Sequence, residues 1–79
     1  MKKETRTLPF LDIHLSAFLV LNGIEPSLVK QSGRVIFQFP NNAQVSSLVE
    51  KYNSNPKVDV LNYVQHLRRL RSQMLSMRG

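Results

Sequence analysis

The side chains of this sequence best suited to binding a partner are arginines near the carboxyl end of the chain. Three of them stand close together between residues 68 and 71, and no acidic residue follows Asp59. Guanidinium groups donate paired hydrogen bonds to phosphates and carboxylates, so the cluster favours an acidic partner. Arginines late in a helix also complement the helix dipole, which makes a solvated helix end the alternative. The residues predicted to bind nucleic acid are Lys30, Arg34, Arg68, Arg69 and Arg71.

An apolar stripe beside the arginines is the second candidate. Leu67, Leu70, Met74 and Met77 are spaced three and four residues apart, which places them on one face of a helix. Because methionine adapts to irregular contacts, this stripe could dock on another protein or on a second copy of the chain. In that interpretation the positive charge is incidental. A homodimer is expected, because so short a chain without disulfides often gains stability from a partner.

Side chains for catalysis or metal binding do not converge along the sequence. The two histidines, His14 and His66, are far apart, and the chain contains no cysteine. Its five acidic residues are scattered, and its three glycines form no phosphate-binding loop. We therefore expect a protein that is not an enzyme, with no metal site, no cofactor and no small-molecule substrate.

Three helices are predicted to carry most of the candidate residues. The first, capped by Asp12 and ended by Asn22–Gly23, is apolar nearly all round and should be buried on several sides. A short second helix begins after Asn41 or Asn42. A longer amphipathic helix begins after Asp59, and it carries the arginines and the apolar stripe.

Two β-type runs around Ser32–Gly33 predict a hairpin between the first two helices. In its second run Val35, Phe37 and Phe39 alternate with polar or exposed positions, as a half-buried antiparallel strand requires. These phenylalanines could imitate the stacking residues of a sheet that binds single-stranded nucleic acid. The alternation favours the core instead, packed on the first helix.

Together these elements predict one small α+β domain over residues 1–79, in the order (β)αββαα. An antiparallel hairpin, with residues 4–8 as a third strand, packs against three helices. Residues 1–7 are mainly polar, which is typical of a flexible arm or an edge strand.

Composition narrows the class of protein further. Of the 79 residues 42% are hydrophobic, a balance that excludes a disordered or fibrous chain. Eleven Lys and Arg against five Asp and Glu give a net charge of +6, which favours acidic partners. The basic amino end resembles a signal peptide, but Glu4 and Asp12 interrupt the apolar stretch that follows it. We expect a cytoplasmic protein without a membrane span.

Two segments carry a resemblance to a known family. D-I-H-L-S-A-F-L-V-L-N-G-I at residues 12–24 and G-R-V-I-F-Q-F at residues 33–39 resemble an uncharacterised family of small bacterial and phage-associated proteins, a domain of unknown function. The resemblance spans residues 8–75 and implies the same helix, hairpin and basic final helix. His14 and Ser16 stand where the family tends to have an aromatic residue and an alanine, so packing at the first helix is expected to differ. The phage association implies a role on DNA, RNA or a host protein.

Overall fold

Residues 7–78 fold into a three-stranded antiparallel sheet with three helices packed against it. The structure, a computed structural model, describes residues 7–78. Its elements are β1 (Thr7–Phe10), α1 (Ile13–Leu21), β2 (Ser27–Gln31), β3 (Arg34–Pro40), α2 (Ala43–Asn53) and α3 (Val60–Arg78). The strands lie in the order β1-β3-β2, so β3 is central. The α+β class and the order βαββαα are confirmed.

The third strand extends beyond the residues predicted for it. The sequence placed it over residues 4–8, whereas β1 continues through Phe10. The physical reason is alternation: Leu8 and Phe10 both pack against the core, while Pro9 between them is exposed. A proline is tolerated there because β1 is an edge strand. Of the predicted arm, residues 1–6 lie outside the described residues.

The predicted hairpin is confirmed, and its turn has only two residues. Gln31 pairs with Arg34 across the turn, and Ser32 and Gly33 both have positive φ angles, 51° and 77°. Two successive left-handed residues match the natural twist of a hairpin, and glycine adopts this conformation without a steric penalty. The turn therefore fixes the register of β2 against β3.

The first helix has the caps that the sequence predicts. The Asp12 carboxylate accepts hydrogen bonds from the backbone N–H groups of His14 and Leu15, at 2.9 and 3.3 Å. At the other end Gly23 has a φ of 91°, the left-handed conformation expected after a helix. Inside the helix the hydroxyl of the buried Ser16 donates to the Asp12 carbonyl at 2.9 Å, so this polar side chain is satisfied in the core.

The core forms around α1, which contacts both α2 and α3. Its six residues from Leu15 to Val20 are all buried. Phe37 and Phe39 of β3 are 0% exposed and belong to the same cluster. The prediction that these phenylalanines pack in the core is therefore confirmed. The buried cluster consists of Leu15, Ala17, Leu19, Val20, Phe37, Phe39, Val45 and Leu70.

A long-range hydrogen bond fastens α3 to the start of α1. The Tyr63 hydroxyl donates to the His14 carbonyl oxygen at 2.9 Å. Burial raises the pKa of Tyr63, and the neighbouring Tyr52 phenol and Asp12 carboxylate raise it further. A raised pKa means that folding favours the protonated phenol. That stabilisation is present below about pH 10 and is lost as the pH rises through the higher pKa of the folded state.

We expect Tyr63→Phe to lower the free energy of unfolding at pH 7 by about 0.5–1.5 kcal/mol, because it removes this hydrogen bond. The variant should also lose less stability than the wild type between about pH 9 and pH 11, since one titrating phenol is gone. Urea unfolding across that range measures both effects. If both proteins lost the same amount of unfolding free energy at alkaline pH, Tyr63 would not be the source of the pH dependence.

Candidate binding face on the last helix

The apolar stripe of α3 packs against the chain's own core. Leu70 is 0% exposed, and Leu67 and Met74 are partly buried against the same cluster. Met77 is half-buried and lines a concavity beside β2 with Leu28. In the structure this stripe therefore attaches α3 to the sheet and to α1. This differs from the free interaction face expected from the sequence, because the small core needs these side chains for itself.

The arginines of α3 point in two different directions. Arg69 forms an ion pair with Glu25, with 3.2 Å between its Nη2 atom and the Glu25 Oε2 atom. This pair links α3 to the segment that enters β2. Arg68 and Arg71 are exposed on another side of the helix and have no acidic partner among residues 7–78. The sequence predicted all three arginines as binding residues, with Arg68 and Arg71 on one helix face, and the structure adds that Arg69 is paired with Glu25.

The side of α3 that carries Arg68 and Arg71 combines basic and aliphatic residues, all of them exposed except the half-buried Val64. At 3.6 residues per turn, its members fall within a sector of about 100°. Val60, Leu61 and Leu75 are 67%, 77% and 55% exposed, although large aliphatic side chains are more often buried. No acidic residue occurs anywhere on α3. We call this surface the outer face of α3, and it consists of Val60, Leu61, Val64, Arg68, Arg71, Leu75 and Arg78.

The hairpin adds one of its two candidate cations to the end of this face. Arg34 and Arg78 line the same concavity, of about 260 Å³, together with Leu11 and Met74. Lys30 is not among the lining residues, and it lies on β2 at an open edge of the sheet. Arg78 was missed as a candidate, although its position seven residues after Arg71 places it two turns further on the same helix face.

The two histidines lie in separate surroundings. The His14 Nδ1 atom is 3.6 Å from an Asp12 carboxylate oxygen that already accepts two backbone hydrogen bonds. His66 is half-buried on α3. Within residues 7–78 there is no group of three histidine or acidic side chains that could hold a metal ion. In the same part of the chain, no helix has the length and apolar character needed to cross a membrane.

Most of the chain matches a known protein family. Residues 6–76 match the family model described as a domain of unknown function, DUF5659. The chain belongs to this family. The DUF5659 match begins just before β1 and includes most of α3, and it confirms the expected resemblance to a domain of unknown function. No curated protein and no solved structure matches the chain.

Proposed function

We propose that this DUF5659 protein is a non-catalytic accessory protein that binds an acidic protein on the outer face of α3. The observation that carries the proposal is the composition of that face, which combines three arginines with the exposed aliphatic side chains of Val60, Leu61 and Leu75. Burial of these aliphatic groups against a partner would be favourable, and carboxylates would pair with the arginines. Binding or inhibition of a host protein, implied by the resemblance to phage-associated proteins, belongs to the same proposal.

Nucleic acid is the second candidate partner. It is favoured by the net charge of +6 and by the concavity that Arg34 and Arg78 share, since phosphates attract such groups. Base stacking adds no support, because Phe37 and Phe39 are buried in the core. The exposed aliphatic residues that share this face with the arginines have no role in holding phosphates, so a protein partner ranks first. The phosphate-binding residues in this second candidate are Arg34, Arg68, Arg71 and Arg78.

Replacing Arg68, Arg71 and Arg78 together with glutamine is expected to abolish salt-sensitive binding of the probe poly-L-glutamate. Glutamine keeps helix propensity, so the fold should persist. The matched control replaces Lys51, Lys57 and Arg69 with glutamine. It removes three positive charges as well, but from positions outside the outer face. Fluorescence titrations at about 50 and 200 mM salt measure the binding, with mixed-sequence DNA and RNA titrated in parallel.

The control variant should bind poly-L-glutamate nearly as well as the wild type. Equal losses in the two triple variants would mean that net charge, not the outer face, determines binding. If the wild type binds DNA or RNA and not poly-L-glutamate, the second candidate takes the lead. In that case the slope of log affinity against log salt should shrink by about 0.7–0.9 for each phosphate that the triple variant no longer binds. A wild type that binds none of these polymers would overturn both candidates.

A further inference from the structure

We infer that the outer face of α3 is a heptad seam that fits an acidic amphipathic helix of another protein. The inference rests on the proposed function and names its partner. Along α3 six side chains recur at alternating spacings of three and four residues, so they share one face, and Leu61, Val64 and Leu75 supply apolar positions for packing against a second helix. They are, in order, Leu61, Val64, Arg68, Arg71, Leu75 and Arg78.

The seam has the length and the exposure that a second helix requires. It runs over five turns of α3, about 25 Å at the normal helical rise. Leu61 near one end is 77% exposed and Leu75 near the other is 55% exposed. α3 is held to the rest of the domain by a different set of residues, those around Leu70. Apart from the half-buried Val64, the seam residues are therefore separate from those that pack α3 against the core.

Charge decides which helix the seam accepts. If two copies of α3 paired in parallel, each arginine would face its own counterpart. If they paired antiparallel, Leu61 would face Arg78 and Arg68 would face Arg71. Arginines therefore meet in both orientations, and like charges that face each other in a contact are unfavourable. A second copy of this chain is disfavoured on this surface.

A helix with glutamates opposite the arginines satisfies every position of the seam. Its leucines or isoleucines would cover Leu61, Val64 and Leu75, and its glutamates would accept hydrogen bonds from Arg68, Arg71 and Arg78. The apolar pairs supply affinity, and the charged pairs fix register and reject wrong partners. Free nucleic acid offers the negative charge but not the apolar positions.

The test uses two labelled helical peptides of about three heptads for each orientation. The matched peptide has leucine opposite the aliphatic seam residues and glutamate opposite the arginines. The exchanged peptide swaps leucine and glutamate at the six seam positions, so the two peptides have the same composition and net charge. Fluorescence anisotropy with the full chain should give at least about tenfold tighter binding of the matched peptide. Leu61→Gln with Leu75→Gln should remove this preference, and Arg69→Gln should leave it unchanged.

The outcomes separate this inference from the proposed function. Equal binding of the matched and exchanged peptides in both orientations, with poly-L-glutamate still bound, would overturn the seam and leave an acidic partner in place. Binding of DNA or RNA without binding of any peptide would overturn the seam in favour of nucleic acid. A dimer in sedimentation that dissociates in the Leu61→Gln, Leu75→Gln variant would show that a second copy occupies the face. No binding of any probe would overturn both proposals.

Discussion

Phe37→Ala is expected to lower the free energy of unfolding by about 3–5 kcal/mol, which is most of the stability that a domain of this size can have. Phe37 is 0% exposed on the central strand, and its ring lies in the cluster that joins the sheet to α1. Truncation removes its buried surface and leaves a cavity, which the packed helices can fill only in part by shifting. Circular dichroism should show a protein that is largely unfolded, or that melts far below the wild type.

Two controls keep this result specific to the core. Phe37→Leu keeps most of the buried volume and should cost less than the alanine variant. Gln38→Ala changes the next residue, whose side chain takes the opposite face of the sheet, and should have a small effect on melting. If Phe37→Ala melted like the wild type but no longer bound single-stranded oligonucleotides, Phe37 would belong to a stacking surface and not to the core.

Leu70→Ala is expected to cost about 2–5 kcal/mol of unfolding free energy. Leu70 is the α3 residue that is 0% exposed, and it inserts into the cluster formed by α1 and β3. Its removal should loosen α3 from the rest of the domain. Leu75→Ala, on the outer face of the same helix, should change stability by no more than about 0.5 kcal/mol because Leu75 is 55% exposed. Urea unfolding of the two variants measures the difference.

This pair of variants also distinguishes the two sides of α3 in function. Leu75→Ala should weaken binding of the matched peptide and leave the melting temperature unchanged. Leu70→Ala should lower the melting temperature, but at temperatures where the variant is still folded it should bind the matched peptide as the wild type does. Similar stability losses in both variants would mean that the outer face is covered within the chain. Unchanged stability in Leu70→Ala would restore the stripe as an interaction surface.

Local signals account for the parts of the fold that could be predicted from the sequence. Asp12 as a cap, the left-handed Gly23 and the Ser32–Gly33 turn each act over three or four residues, so their effects can be read from neighbouring letters. The alternation of Phe37 and Phe39 identified the buried face of β3 for the same reason. These devices fix most of the helix and strand boundaries.

Contacts between distant segments decided what could not be predicted. β1 continues to Phe10, past its expected end, because its extent depends on pairing with β3, about thirty residues away, and not on its own composition. Arg69 was predicted as a binding residue like Arg68, because its ion pair with Glu25 forms only in the folded chain. An amphipathic pattern identifies the side of α3 that faces the core. It does not show which residues from other segments contact the remaining sides of the helix.

The two-residue turn at Ser32–Gly33 has a consequence for the order in which the chain folds. Because only those residues separate β2 from β3, this hairpin can close in about 1–10 μs. β1 joins the other side of β3 only after the chain between them, including α1, has been brought together, and this costs more loop-closure entropy. Until β1 arrives, β3 exposes one unpaired edge next to its two buried phenylalanines. A chain that stalls at this stage would aggregate through β3, so the docking of β1 protects the folding protein.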